Sequence, residues 1–401
     1  MKRFAALTAA LIMFTGCSQT IENTTDSQPE ETTSSAAETT SEGGTDAVQP
    51  VTKETPPYAE SKLRTMSLRQ KVCQMFIVTP EELTGYEGMT YVDDTLLGCC
   101  QIYPVGGFIL FNQNIMDGAQ LATFTGDLQY VSKNNGIGAF ISADEEGGSV
   151  TRIQSALWTE AVNDMSFYGA NNDAAGAEYA GGVLGSTLRD YGFNLDFAPV
   201  ADVNLNSGNE LGSRIFSSDP AVVSQMSAAV IKGLHSQNVC ATLKHFPGLG
   251  AGSGNTHEGS VKIDRTLDQL RACEFTAFQG GIEADADFVM VGHQITSASG
   301  DDLPGDLSKV VVTDWLRNEL NFQGIIISDS HSMGAITSSF TPADAAVKAI
   351  EAGVDIILMP SDIASAVNGI EGAVLSGSLS EERINESVLR ILSKKYEMGL
   401  I

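Results

Sequence analysis

The chain has 401 residues, 42% of them hydrophobic, with 40 glycines and 12 prolines; it is too apolar for a disordered chain and too long for one small module. Twenty-three Lys and Arg against 50 Asp and Glu give a formal net charge of −27, which repels phosphate backbones and anionic headgroups and excludes nucleic acid as a partner. The six cysteines form no CxxC pair and no zinc-site spacing, so neither a metal-stapled nor a disulfide-dense scaffold is expected.

Met1-Lys2-Arg3, the apolar run from Phe4 to Phe14 and the exit Thr15-Gly16-Cys17 have the charged head, short apolar core and small-residue end of an export signal. The run is too short to remain as a spanning helix. Cys17 directly after Gly16 resembles a bacterial lipobox, which predicts a signal over 1–17 and an extracytoplasmic protein held to the membrane only through a lipid on Cys17. A plain secretory signal with a chance cysteine is the alternative. Residues 18–57 are Ser, Thr, Glu and Pro with hardly a bulky apolar side chain; they cannot bury enough surface to offset the entropy of ordering and are expected to form a tether. The folded part, 58–401, is acidic in its own right.

Beyond the tether, short β-branched and apolar runs recur at Cys73–Val78, Gly107–Phe111, Ala139–Ala143, Leu195–Val200, Cys240–Lys244, Phe288–Gly292, Gly324–Ser328 and Val354–Met359. They are near-continuously apolar, as strands buried on both faces are. Helical periodicity separates them over Ala119–Ser132, Asp173–Tyr191, Pro220–Ser236, Leu267–Glu283, Ser308–Leu320 and Pro342–Ala352, and Ile363–Leu375 and Glu381–Tyr396 close the chain. Eight βα units predict an α/β fold, a single (β/α)8 TIM-type barrel, in preference to an open doubly wound sheet, and no GxGxxG opens a helix after the first strand. Cys73 and Cys240 lie in these strand-like runs and are expected to be buried thiols; the adjacent Cys99 and Cys100 are not expected to bridge.

Asp144, Asp202, Lys244 with His245, His293 and Asp329 each fall at or just past the C-terminal end of a predicted strand, the rim where barrel enzymes assemble their active sites. A strand-end Asp is by itself more often a turn or helix cap, and a lone His a satisfied structural residue. Five strands ending this way on one rim are much harder to attribute to capping.

The stretch Lys244-His-Phe-Pro-Gly-Leu-Gly-Ala-Gly-Ser-Gly-Asn-Thr-His257 and, later, Ile327-Ser-Asp-Ser-His-Ser-Met333 resemble the β-N-acetylhexosaminidase branch of glycoside hydrolase family 3. The resemblance extends over the folded region through Met66 to Met75, Gly106 to Phe111, Asp144-Glu-Glu-Gly-Gly148 with Arg152, Asn194 to Asp202, and Gly212 to Phe216. It implies a retaining, two-step hydrolysis of terminal β-linked N-acetylglucosamine with no metal or organic cofactor, and the lipoprotein address points to peptidoglycan fragments as the substrate class.

Glycoside cleavage requires an anionic group below the sugar ring and a proton donor beside the leaving oxygen. Asp329 is the candidate nucleophile, kept ionised by hydrogen bonds or by neighbouring cations such as Lys244 and Arg214. The resemblance makes His257, on the loop after the fifth strand, the proton carrier; a pKa near 6.5 suits imidazole to both directions of transfer. Where the family has an acid two residues earlier to orient that imidazole, this chain has Asn255. Its carbonyl accepts the Nδ1 hydrogen but lacks the charge that stabilises the imidazolium, and Glu258 is an alternative source of that charge or of the proton. By the same match Asp144, Arg152, Arg214, Lys244 and His245 bind the terminal sugar through charge-assisted hydrogen bonds. Asp202 is a supporting residue or a cap. His331 stands where the family more often carries leucine and either touches the aglycone or fills space; His235 is expected on a helix surface, and His293 in the rim without an assigned role.

Three other readings stay open. A β-glucosidase type of the same family normally draws its acid from an additional domain, and the last predicted helix runs to the end of this chain, so no such domain is expected. The Asn255 substitution keeps open a sugar-binding lipoprotein without catalysis, and transfer of the sugar to phosphate stays open because a neutral imidazole repels an anionic acceptor less than a carboxylate does.

Overall fold

A computed structural model describes residues 55–401. The export signal, Cys17 and the tether up to residue 54 lie outside the described residues. Every one of the eight expected runs contains a strand, and two further short strands occur in the loops, giving ten in chain order: β1 (Phe76–Val78), β2 (Gly107–Ile109), β3 (Phe140–Ala143), β4 (Leu195–Asp196), β5 (Cys240–Phe246), β6 (Lys262–Ile263), β7 (Phe288–Val291), β8 (Ile295–Thr296), β9 (Ile325–Ser330) and β10 (Ile356–Leu358). The eight main strands close in the order β1-β10-β9-β7-β5-β4-β3-β2, all parallel, while β6 pairs with β8 outside the barrel.

The first strand begins later than its apolar run because Cys73 and Gln74 end a helix, Leu68–Gln74. Ser67 caps that helix reciprocally with Gln70, and such a capping box commits the following turn to helix before strand pairing can compete. Cys73 is therefore a buried helical thiol, whereas Cys240 is the buried strand thiol expected; the five described cysteines are free. The predicted helix 267–283 is broken at Cys273 into Leu267–Ala272 and Glu274–Glu283, and the one expected over 308–320 is wound as a π-helix over Val310–Glu319.

The two ends of the barrel are built differently. At the N-terminal end Phe140 and Phe288 meet edge to face across the interior with ring centroids 5.3 Å apart. Lys395, fully buried on the last helix (Glu381–Glu397), donates to Gln74 Oε1 at 2.8 Å and to the Gly106 carbonyl at 2.7 Å. The buried Asp355, directly before β10, accepts from Arg317, Arg390 and Ser387. These polar groups satisfy one another and belong to stability. At the C-terminal end the strands terminate in the charged and imidazole side chains that the sequence places there.

Candidate active site

Asp144 directly follows β3, and Lys244 and His245 lie within β5, so register places them on neighbouring strand ends around β4. Lys244 Nζ donates to Asp144 Oδ1 at 2.8 Å and lies 2.6 Å from Glu146 Oε1. Arg214 forks onto Glu146 with two 2.8 Å hydrogen bonds. Arg152 approaches Asp144 Oδ2 at 3.5 Å with its guanidinium over the Phe111 ring. All five sugar-binding candidates except His245 are thus joined in one network, and its hub, Glu146, is a residue of the Asp144-Glu-Glu motif to which sequence reasoning assigns no role.

Burial alone would raise the Glu146 carboxyl, but the Lys244 and Arg214 charges overcome this and hold it down at about 2. For Lys244 the order is the same with opposite sign: burial favours the neutral amine, and Asp144 and Glu146 outweigh it, so the ammonium persists above its ordinary range. Glu145 has a separate task. Its carboxylate accepts the backbone N–H groups of Arg152, Ile153 and Gln154 at 2.6, 2.9 and 3.0 Å, capping the short helix Ile153–Leu157 and fixing the chain that carries Arg152.

His245 is oriented by Asp202, whose Oδ2 accepts both its backbone N–H at 3.0 Å and its Nδ1–H at 2.8 Å. Asp202 is fully buried, and its Oδ1 accepts the Leu249 backbone N–H at 2.5 Å, so it supports the imidazole and caps the loop after β5 at once.

Asp329 sits near the C-terminal end of β9 and is only partly buried. Its Oδ1 accepts the Ser330 backbone N–H at 2.7 Å. Desolvation pushes its pKa up, but His293, His245, the Ser330 hydrogen bond and Lys244 together bring it below the ordinary carboxylate value. Of the two cations expected from sequence to hold it ionised, Lys244 contributes and Arg214 is committed to Glu146.

The loop after β5 carries His257, exposed, and Asn255, half-buried. Asn255 Oδ1 accepts the backbone N–H of His257 at 3.0 Å, and its Nδ2 donates to Glu258 Oε1 at 3.3 Å; Asn255 shapes the turn here and does not engage the imidazole. Thr256 is anchored by Glu210, to which its hydroxyl donates at 2.8 Å. The loop is stitched to the segment after β9, since Gly334 N–H donates to the His257 carbonyl at 3.1 Å and Ala335 N–H to the Thr256 carbonyl at 3.2 Å. A Cβ on Gly334 would lie 2.8 Å from both the His257 and Glu258 carbonyl oxygens, so glycine is what lets the two loops meet. The backbone of His257 is thereby tied to a point five residues beyond Asp329 along the chain.

Two histidines without assigned roles are buried beside this strand end. His293 Nδ1 and His331 Nε2 meet the two oxygens of Asp306, at 2.9 and 2.7 Å. His331 accordingly packs inside the wall and is not an aglycone contact. Asp306, fully buried, escapes sequence reasoning because its loop, Asp301 to Ser308, reads as turn sequence and offers no spacing signal. His235 is half-buried and pairs with Asp287 at 2.7 Å, so it is not a free surface residue. Among the described residues no group of His, Cys, Asp and Glu is arranged to hold a metal ion.

Residues 67–394 match the family described as the glycosyl hydrolase family 3 N terminal domain. The chain is 33% identical over 279 residues to a β-hexosaminidase of Stenotrophomonas maltophilia, covering 68% of this chain and 82% of the relative. It is 31% identical over 337 residues to β-hexosaminidase A of Pseudoalteromonas piscicida, covering 77% of this chain but 56% of the relative. Among solved structures, a family 3 β-N-acetylglucosaminidase from a Paenibacillus species superimposes with a TM-score of 0.79 at 32% identity, over 84% of this chain and 63% of that one. The chain thus spans about half to two thirds of the length of the longer relatives. With residues 67–394 matched to that one family, and with a closed barrel of eight parallel strands, the chain belongs to glycosyl hydrolase family 3.

Proposed function

We propose that the chain is a retaining, exo-acting β-N-acetylglucosaminidase that removes terminal β-linked N-acetylglucosamine, with peptidoglycan fragments as the source. The observation that carries this reading is Asp329, partly exposed near the C-terminal end of β9 and lowered below the ordinary carboxylate value by His293, His245 and Lys244, beside a loop that ties the backbone of His257 to the segment following the same strand. The names of the hexosaminidase relatives favour the same sugar.

In the first step an Asp329 carboxylate oxygen bonds to the anomeric carbon as the glycosidic C–O bond breaks, and the His257 imidazolium gives its proton to the departing oxygen. In the second, neutral His257 takes a proton from water, whose oxygen displaces Asp329 from the anomeric carbon. Asp144, Arg152, Lys244 and His245 bind the sugar hydroxyls, with Arg214 holding the Glu146 hub. Cys17 would carry the lipid that keeps the enzyme at the outer side of the cell membrane.

The test is release from a chromogenic β-N-acetylglucosaminide and its β-glucoside counterpart, with and without phosphate, by the wild type and by Asp329→Ala. The reading expects N-acetylglucosaminide cleavage without phosphate, lost in Asp329→Ala by about four orders of magnitude or more. Preference for the glucoside would favour the β-glucosidase type, a glycosyl phosphate product the phosphorolytic one, and no release from either substrate the binding protein.

A further inference from the structure

Behind the strand end that carries Asp329 lies a buried group of three side chains that the sugar chemistry does not use. His293, Asp306 and His331 are 0%, 0% and 2% exposed. Their hydrogen-bond partners fix where the protons sit. His293 Nε2 faces the Ser330 backbone carbonyl at 2.8 Å, which only accepts, so Nε2 must carry hydrogen. His293 Nδ1 faces Asp306 Oδ1 at 2.9 Å, and an ionised carboxylate also only accepts, so Nδ1 carries one too. His331 differs: its Nε2 faces Asp306 Oδ2 at 2.7 Å, while its Nδ1 is buried with no protein partner. A hydrogen there would be a buried donor left unsatisfied, which is costly, so His331 is the neutral tautomer protonated on Nε2. One carboxylate, one imidazolium and one neutral imidazole sum to zero, the combination cheapest to bury.

We propose that Asp306 is a positioning residue for the nucleophile: it holds His293 as an imidazolium against the Asp329–Ser330 strand end, and its second oxygen, held by His331, leaves it no other orientation. Through His293 it keeps Asp329 ionised and its backbone placed. This rests on the reading of Asp329 as the nucleophile.

The titratable groups that bear on Asp329 come from β7 and β5: His293 after the first, and His245 and Lys244 from the second. His293 faces Asp306 and Asp329, and its ring lies 5.8 Å from that of His331. Burial opposes charge on His293, yet Asp306 raises it to about 9, and desolvation of Asp306 is overcome by His293 so that it falls to about 2. Both directions agree with the assignment drawn from the hydrogen bonds. Lys244 is bound by Asp144 and Glu146, and His245 by Asp202, which leaves His293 as the cation whose own counter-ion lies behind the nucleophile.

Asp306→Asn tests this. An amide accepts through one atom and donates through the other, so it can receive only one of the two imidazole hydrogens and no longer offsets a buried imidazolium. His293 then goes neutral, Asp329 becomes easier to protonate, and the acid limb of kcat/KM against pH is expected to move up by about one pH unit or more. Activity on the alkaline side of that limb should largely return. A variant with lowered activity at every pH and an unmoved acid limb would reduce Asp306 to a packing residue and overturn the proposal. Should Asp306→Asn not fold, the wild type is read directly by 15N NMR of its five histidines. At pH 7.5 one imidazole should be protonated on both nitrogens and one should show a bare Nδ1; absence of any doubly protonated ring overturns the proposal. Inactivity of the wild type on every glycoside would instead sink the glycosidase reading and leave the NMR result standing.

Discussion

Glu146→Gln removes the negative charge that Lys244 and Arg214 share while leaving the shape of the side chain unchanged. Its magnitude follows from the site. Depression of the carboxyl from 4.5 to about 2 corresponds to roughly 3 kcal/mol of folding stability, within the range of about 3–5 kcal/mol for breaking a buried ion pair by removing one partner. For a folded part of this length the same energy lowers the melting temperature by about 4 °C. Because the folded pKa lies below the unfolded one, the contribution is fully present above pH 4.5 and is lost as pH falls through about 2. Thermal unfolding of wild type and variant should therefore differ at pH 7 and converge toward pH 2. Sugar affinity should fall in parallel, since Lys244 and Arg214 lose their common partner. Melting temperatures within about 1 °C of each other at pH 7, or a gap that does not close on acidification, would show that Glu146 is not the hub on which the two cations depend.

Two further outcomes concern the loop after β5. Asn255→Asp keeps an acceptor for the His257 backbone N–H and adds a negative charge two residues from the imidazole. It should stabilise the imidazolium and move the alkaline limb of kcat/KM up by as much as about one pH unit; if neither limb moves, Asn255 and the His257 ring are uncoupled during turnover. Thr256→Val cuts the hydroxyl tie to Glu210 while preserving shape, costing roughly 1–2 kcal/mol locally. Its expected signature is a lower kcat with little change in melting temperature, and an unchanged kcat would mean that the anchor does not govern where His257 sits.

The barrel was legible because its strands are buried on both faces, and eight short, near-continuous apolar runs alternating with helical periodicity rarely build anything but a parallel sheet. Boundaries were less so. Cys73 looks like strand from its neighbours, but the reciprocal Ser67 and Gln70 cap decides for helix, and Cys273 interrupts a helical pattern that continues in sequence across it. Of the site, the residues on strand ends could be read because position along a strand dictates position on the rim. The pairings among them could not: Lys244 meets Asp144 across 100 residues of sequence, and Arg214 meets Glu146 across 68.

The hidden residues share a physical cause. Glu146 and Asp306 act as counter-ions to groups that the sequence does announce, and a counter-ion is defined by what surrounds it in space. Charge arithmetic narrows the search once the fold is known. A barrel that buries Lys244 and a charged His293 in its rim must bury carboxylates against each, because an uncompensated buried charge costs more than a fold of ordinary stability carries. Glu146 answers Lys244 and Arg214, and Asp306 answers His293. Asp329, unlike these two acids, stays partly exposed, lowered by groups that are bound to other partners, and on the proposed reading this borrowed stabilisation leaves its oxygens available to an incoming sugar.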